Sequence, residues 1–155
     1  MLAIDALAPD FKLFNTDKKE VSLANQRGSN CVLLFFPLAF TSTCTVELCN
    51  VRDNYAMYNQ LNAKVFGISV DSLFALGKFK QEQNLNFDLL SDFNKTASIA
   101  YQCLYPEFGF GMQGVSKRAA FVIDKDGFLK YAEVLENAGS LPDFEAIRKT
   151  LESLK

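Results

Sequence analysis

Four cysteines, Cys31, Cys44, Cys49 and Cys103, and the absence of any histidine set the chemistry open to this chain. The intervals contain no C-x-x-C pair, and no imidazole can complete a zinc set. A Cys-His dyad of the protease kind is excluded for the same reason. Few cysteines at uneven spacing point to thiol chemistry in a reducing compartment rather than to a disulfide framework. The four are not equivalent. Cys31 lies inside the apolar run Cys31-Val32-Leu33-Leu34-Phe35-Phe36 and reads as a small buried hydrophobe. Cys44 follows Thr41-Ser42-Thr43, neighbours that do not make a dry pocket. It is the candidate nucleophile.

The elements that must position it can be read outward from Cys44. The run 31–36 has β-branched and aromatic members and ends at Pro37, the pattern of a strand buried on both faces. A long helical pattern follows, from Thr45 to about Leu61, with Leu48, Val51, Tyr55 and Tyr58 on one apolar face. Cys44 is thereby placed where a loop leaving a central strand becomes the first turn of a helix. Unpaired backbone N–H groups and the positive end of the helix dipole converge there and stabilise an anion. With no histidine, activation of the thiol falls to a cation, a dipole or a hydrogen bond. Thr41, three residues earlier, has a hydroxyl that both donates and accepts. Pro37 removes one backbone donor and fixes the approach of the loop. Helix geometry puts Glu47 one turn above Cys44 on the same face, where it is either a solvated first-turn carboxylate or a group that orients an arginine.

The rest of the chain supplies an α/β frame. Phe11–Phe14 and Glu20–Leu23 flank a turn-rich stretch and predict an N-terminal hairpin. Val65–Val70 is a second buried strand, parallel to the first through a βαβ unit. A helix over about 73–83, a short strand Phe87–Leu90 and a short helix over 94–101 come next. Residues 105–114 mix glycine with Phe108, Phe110 and Met112 and read as a loop over one face. Ala119–Ile123 and Phe128–Val134 flank Asp124-Lys125-Asp126-Gly127 as an antiparallel hairpin. The last helix is expected from near Ser140, with Asp143 completing a capping box. The sum is a mixed central sheet flanked by helices, in one domain spanning 1–155. With 155 residues, 49% of them hydrophobic, that domain has core enough to be stable alone. A net charge of −2 without a basic stripe argues against nucleic-acid binding. No apolar run is long enough to span a bilayer. Met1-Leu2-Ala3-Ile4-Asp5 does not read as a signal peptide, so a cytoplasmic location is expected.

Pro37, Thr41 and Cys44, as Pro-x-x-x-Thr-x-x-Cys after a buried strand, resemble the active-site signature of the peroxiredoxins, thiol peroxidases on a thioredoxin-like fold. The resemblance continues through Glu47-Leu48, Leu89-Leu90-Ser91-Asp92-Phe93 and Arg118-x-x-Phe121-Val122-x-Asp124, and spans nearly the whole chain from Ala8. Phe35-Phe36-Pro37-Leu38-Ala39-Phe40-Thr41 is most similar to the alkyl hydroperoxide reductase E type. Cys44-Thr45-Val46-Glu47-Leu48-Cys49 resembles the bacterioferritin-comigratory, or Q, type. The resemblance implies that Cys44 attacks the peroxide, that Arg118 supplies the cation and that Glu47 orients it. Without the resemblance, Arg118 would read as a solvated strand-edge arginine. Lys117 beside it reads as solvated.

The resemblance also implies a fate for the oxidised Cys44. Cys49 matches the Q-type resolving position, yet five helical residues separate Cα atoms by ~8.6 Å, beyond the roughly 7 Å a disulfide tolerates. The first turn must unwind before the two can join. Alternatively Cys49 is a packed core residue, and Cys103 is the fallback partner. Expected substrates are hydrogen peroxide, alkyl hydroperoxides or peroxynitrite, with a thioredoxin- or glutaredoxin-like protein as reductant, a homodimer as the assembly and no cofactor. Two other classes remain open on the residues: a thioredoxin-like disulfide exchanger, disfavoured by the missing C-x-x-C, and a redox-sensing interaction module.

Overall fold

In the computed structural model, which describes Met1–Lys155, the central strand is β3 (Asn30–Phe35), and all six of its residues are buried. It pairs in parallel with β4 (Ala63–Ser69), which pairs in parallel with β5 (Asp88–Ser91). The N-terminal hairpin, β1 (Lys12–Asn15) and β2 (Glu20–Ser22), adds antiparallel to β5 at one edge. The second hairpin, β6 (Arg118–Ile123) and β7 (Leu129–Leu135), adds antiparallel to β3 at the other. The order is β2-β1-β5-β4-β3-β6-β7, a mixed sheet as the pattern of strands predicts. Its turn at 124–128 is held by Asp124 Oδ1, which accepts from the N–H groups of Asp126 and Phe128. Gly127 adopts φ 94° there, a conformation natural only to glycine.

Side-chain alternation along the strands divides the core. Val32, Leu34, Ala120 and Val122 face one layer, made by α1 (Ser42–Asp53), α2 (Tyr55–Gln60), α3 (Leu73–Gln83) and α5 (Phe144–Ser153). Cys31, Leu33, Phe35, Ala119 and Phe121 face the other, with α4 (Thr96–Ala100), Tyr101, Cys103 and the N-terminal segment. On that second face the rings of Phe35, Tyr101 and Phe121 meet at centroid distances of 5.0–5.7 Å. The Tyr101 hydroxyl is satisfied by the Pro9 carbonyl at 2.6 Å. On the first face Leu48 of α1 packs over Gly67 of β4, where a Cβ would come within 3.6 Å of Leu48 Cδ2 and 2.7 Å of Leu89 Cδ2 on β5. Close packing of α1 onto the sheet fixes the angle at which its first turn meets the end of β3.

Helix boundaries differ from the sequence expectation. The helix predicted to run to Leu61 breaks at Asn54 (φ −113°, ψ 17°), whose side-chain amide donates to the Asn50 carbonyl at 2.8 Å. A short amide side chain that competes for a helical carbonyl in this way ends the regular ladder. The last helix starts at Phe144, not near Ser140. Asp143 itself is the cap, accepting from the Ala146 N–H at 3.0 Å, while the Ser140 N–H turns back to the Asn137 carbonyl. Buried Asp92 caps α4 through the N–H groups of Ala97 and Ser98, and also accepts from the Ser98 hydroxyl at 2.7 Å. Ser98 Oγ lies 2.6 Å from Ser116 Oγ, which pins the chain two residues before Arg118. No helix is long and apolar enough to cross a membrane.

Candidate active site

The site is built at the end of β3, where the chain leaves the sheet through Pro37 and enters α1 at Ser42. Ala39 is held by a tether that sequence reading did not single out. Its N–H donates to Asp71 Oδ2 at 2.8 Å, and the same oxygen accepts from Ser69 Oγ at 2.6 Å. The Asp71 carbonyl in turn accepts from Ser91 Oγ at 2.6 Å. The loop is thus tied to the ends of both neighbouring parallel strands. Phe40 takes φ 68°, rare for a residue with a Cβ and costing roughly 1–2 kcal/mol. Its ring lies edge-on to Phe79 at 5.1 Å, a contact of about 0.5–1.5 kcal/mol, which offsets most of that strain. An Asp71→Ala variant is expected to lower peroxide turnover about tenfold, with Cys44 still present but no longer fixed. Initial rates with hydrogen peroxide, beside a melting curve to confirm the fold, check this.

Thr41 is the N-cap residue of α1, with extended backbone and no side-chain cap. Its hydroxyl donates to the Leu38 carbonyl at 2.8 Å, so only its lone pairs remain available to a ligand. The N–H groups of Thr43 and Cys44 have no acceptor within the protein; the first intrahelical bond is from the Thr45 N–H to the Thr41 carbonyl. Cys44 therefore sits in the turn where the orphan donors and the positive end of the helix dipole converge. It is wholly buried.

The antiparallel register Phe35↔Ala119 brings Arg118 level with the end of β3, and its even position along β6 directs it to the face that carries α1. Arg118 is 1% exposed and makes four hydrogen bonds. Nη2 reaches Cys44 Sγ at 3.2 Å, and Nη1 donates to Glu47 Oε1 at 2.6 Å. Nη2 and Nε both donate to the Ala138 carbonyl, at 2.8 and 3.2 Å. A guanidinium suits this task because its fork is rigid and its charge permanent. Pro37, Thr41, Ser42, Thr43, Phe108, Arg118, Ala138 and Gly139 line a cavity of about 230 Å³ over the arginine. Pro37 contributes a wall with no N–H to compete for a ligand.

Glu47 is fully buried, and its second oxygen, Oε2, has no hydrogen-bond partner. Burial pushes this carboxyl up to about 7, with the Arg118 guanidinium opposing the rise and Glu133 adding to it. Only the ionised form pairs with Arg118 as a charge, so its grip on the arginine weakens as pH falls through about 7. A Glu47→Gln variant should hold the low-pH rate, about tenfold to hundredfold below the wild-type plateau. The wild-type limb assigned to Glu47 should vanish in that variant. Peroxidase rates from pH 5.5 to 8.5 read both effects.

The remaining cysteines are placed differently. Cys49 is half-buried, and its thiol faces Gln83 Oε1 at 3.5 Å. Cys31 and Cys103 are buried in the core on the far face of the sheet from Cys44, and burial pushes their thiols up to about 11 and about 12. That placement removes Cys103 as a fallback partner for Cys44 in the folded chain. Lys117, expected to be solvated, is drawn to Glu136 at 2.6 Å and lies over the Tyr105 ring. The Ala138 carbonyl and the Asp71 tether escaped sequence reading altogether. Position along β6 was the available signal for Arg118, since it shares parity with Ala120 and Val122.

The AhpC/TSA family profile matches residues 4–132. Peroxiredoxin Bcp of Bacillus subtilis is 36% identical over 130 residues, covering 83% of this chain and 82% of that protein. Among solved structures, peroxidoxin BcpB from Mycobacterium tuberculosis superimposes with a TM-score of 0.87 at 25% identity, over 100% of this chain and 99% of that one. Peroxiredoxin Q from Xanthomonas campestris shares the fold, with a TM-score of 0.82 at 22% identity over 96% and 98% of the two chains. The fold is thioredoxin-like. The chain belongs to the AhpC/TSA family and is a thiol-dependent peroxidase, a peroxiredoxin of the Bcp/Q type.

Proposed function

We propose that Cys44 is the thiolate that reduces the peroxide, and the observation that carries this is the Arg118 Nη2 to Cys44 Sγ contact at 3.2 Å. A guanidinium at that distance stabilises negative charge on the attacking sulfur. The sulfur attacks the nearer oxygen of the O–O bond in line. The S–O bond forms as the O–O bond breaks, and the leaving hydroxide or alkoxide takes up a proton. Charge developing along S–O–O is met by Arg118 and by the free N–H groups of Thr43 and Cys44, fixed before the reaction begins. Thr41 accepts a hydrogen bond from the peroxide, since its own proton is spent on Leu38. Glu47 keeps the guanidinium turned toward the sulfur.

The resulting sulfenic acid on Cys44 is resolved by Cys49, five residues along α1, after the first turn of the helix unwinds. A thioredoxin- or glutaredoxin-like dithiol then returns both cysteines to thiols. Substrates are hydrogen peroxide, alkyl hydroperoxides or peroxynitrite. The chain works as one domain over 1–155, in a reducing, cytoplasmic setting. Its homodimer contact involves the aromatic loop, where Phe110 is wholly exposed and Met112 partly so. Light scattering that finds only monomer at working concentration would remove that assembly.

The cycle is tested by coupling peroxide consumption to NADPH oxidation through thioredoxin and its reductase, with an insulin-reduction assay beside it. Peroxide-dependent NADPH oxidation without insulin reduction is the expected result. Insulin reduction without peroxide consumption would overturn the assignment in favour of disulfide exchange.

A further inference from the structure

Cys49 points away from Cys44 toward the C-terminal end of α3. Its Sγ stands 3.5 Å from the side-chain oxygen of Gln83, the last residue of that helix. Two more contacts fasten this part of α1. Arg52 Nη1 donates to the Gln83 backbone carbonyl at 2.5 Å, and Asn86 Nδ2 donates to the Arg52 carbonyl at 3.2 Å. The start of α1 has no contact to α3 and is held instead by Arg118, through Cys44 Sγ and Glu47, while the N–H groups of Thr43 and Cys44 are unpaired. Unwinding from the N-terminal end must release Cys44 and Glu47 from Arg118 before it reaches the segment fastened to α3, and Cys49 lies at that boundary.

The contact to Gln83 has one polarity. An amide oxygen only accepts, so the thiol proton is the donor, and the bond keeps the Cys49 sulfur turned toward α3. We propose that Gln83 is a positioning residue that retains Cys49 against α3 and so sets the rate of disulfide formation, with no part in the attack on peroxide. The inference rests on the reading of Cys49 as the resolving cysteine. In the step concerned the Cys49 sulfur attacks the Cys44 sulfenic sulfur. An S–S bond forms as the S–O bond breaks, and the departing hydroxide leaves as water with the proton that Cys49 gives up. Cys49 is oxidised and the Cys44 sulfur is reduced, so no further reactant enters.

The test is a single turnover of the reduced protein with hydrogen peroxide, quenched at intervals, with sulfenic acid and disulfide followed separately by intact mass. In Gln83→Leu the disulfide step should be about threefold to tenfold faster, with the sulfenic step at the wild-type rate. The backbone carbonyl that holds Arg52 is still present in that variant. Gln83→Glu restores an acceptor of the same reach, and its disulfide step should be no faster than wild type. A role in helix packing alone would not give this split between two steps or its reversal by glutamate. Equal disulfide rates in Gln83→Leu and wild type would overturn the role of Gln83 alone. A wild-type protein that forms no Cys44–Cys49 disulfide would overturn the reading of Cys49 and the role of Gln83 with it.

Discussion

Serine in place of Cys44 is expected to reduce peroxide turnover to background, a loss of at least ~10³-fold, or about 4 kcal/mol of barrier. The change removes one atom type and almost no volume, so the packing of α1 on the sheet should survive and the melting temperature should stay close to wild type. A hydroxyl in the same place still accepts from Arg118, yet it does not ionise near neutral pH and is a poor nucleophile toward an O–O bond. Turnover of hydrogen peroxide by reduced Cys44→Ser protein, at several protein concentrations, measures the effect. Cys49→Ser, by contrast, should complete the first oxidation at the wild-type rate and fail only in disulfide formation. Activity retained in Cys44→Ser would move the chemistry to another thiol.

The second large effect is expected from Arg118→Met, which keeps much of the buried volume and removes the charge. Loss of the one cation at the sulfur should cost about 10²–10³ in the peroxide step, the magnitude usual for a preorganised donor. Stability should fall as well, by roughly 3–5 kcal/mol, because Glu47 is left buried without its partner. The pH dependence of that loss has a definite sign. Burial already raises the Glu47 carboxyl to about 7, and without the guanidinium it should rise further. A group that binds its proton more tightly when folded favours the folded state at low pH. The variant should thus recover stability relative to wild type as pH falls below about 7, and lose it as pH rises. The double variant Arg118→Met with Glu47→Gln should regain stability at neutral pH but not activity. Chemical denaturation at pH 6 and 8, with rates measured alongside, separates the two roles of the arginine.

Much of this site was legible because it is written in side-chain types at short range. Six apolar residues, a proline and a hydroxyl-rich step into a helix place Cys44 without any knowledge of the rest of the chain. Glu47 follows from helical spacing, although its partner does not. Arg118 is harder, being distant in sequence, and only its alternation with Ala120 and Val122 marks the face it shares with α1. The Ala138 carbonyl that accepts two of its hydrogen bonds is a backbone group, and any residue could have supplied it. The Asp71 tether was missed for a related reason. An aspartate at the end of a strand reads as a turn residue, and the loop it binds is remote in sequence. The break at Asn54 lay within an unbroken apolar stripe, where a single local hydrogen bond overrode the helical pattern. Cys103 shows the limit most plainly, since nothing in its neighbours says on which side of the sheet it lies.

The central claim is that Cys44 is oxidised first and Cys49 resolves it. One equivalent of hydrogen peroxide added to the reduced protein, followed by intact mass and peptide mapping under non-reducing conditions, tests both parts at once. The account predicts a disulfide joining the Cys44 and Cys49 peptides, absent from each single serine variant, with Cys31 and Cys103 still alkylatable after unfolding. Oxidation confined to Cys31 or Cys103, or no oxidation of Cys44 by one equivalent, would contradict it.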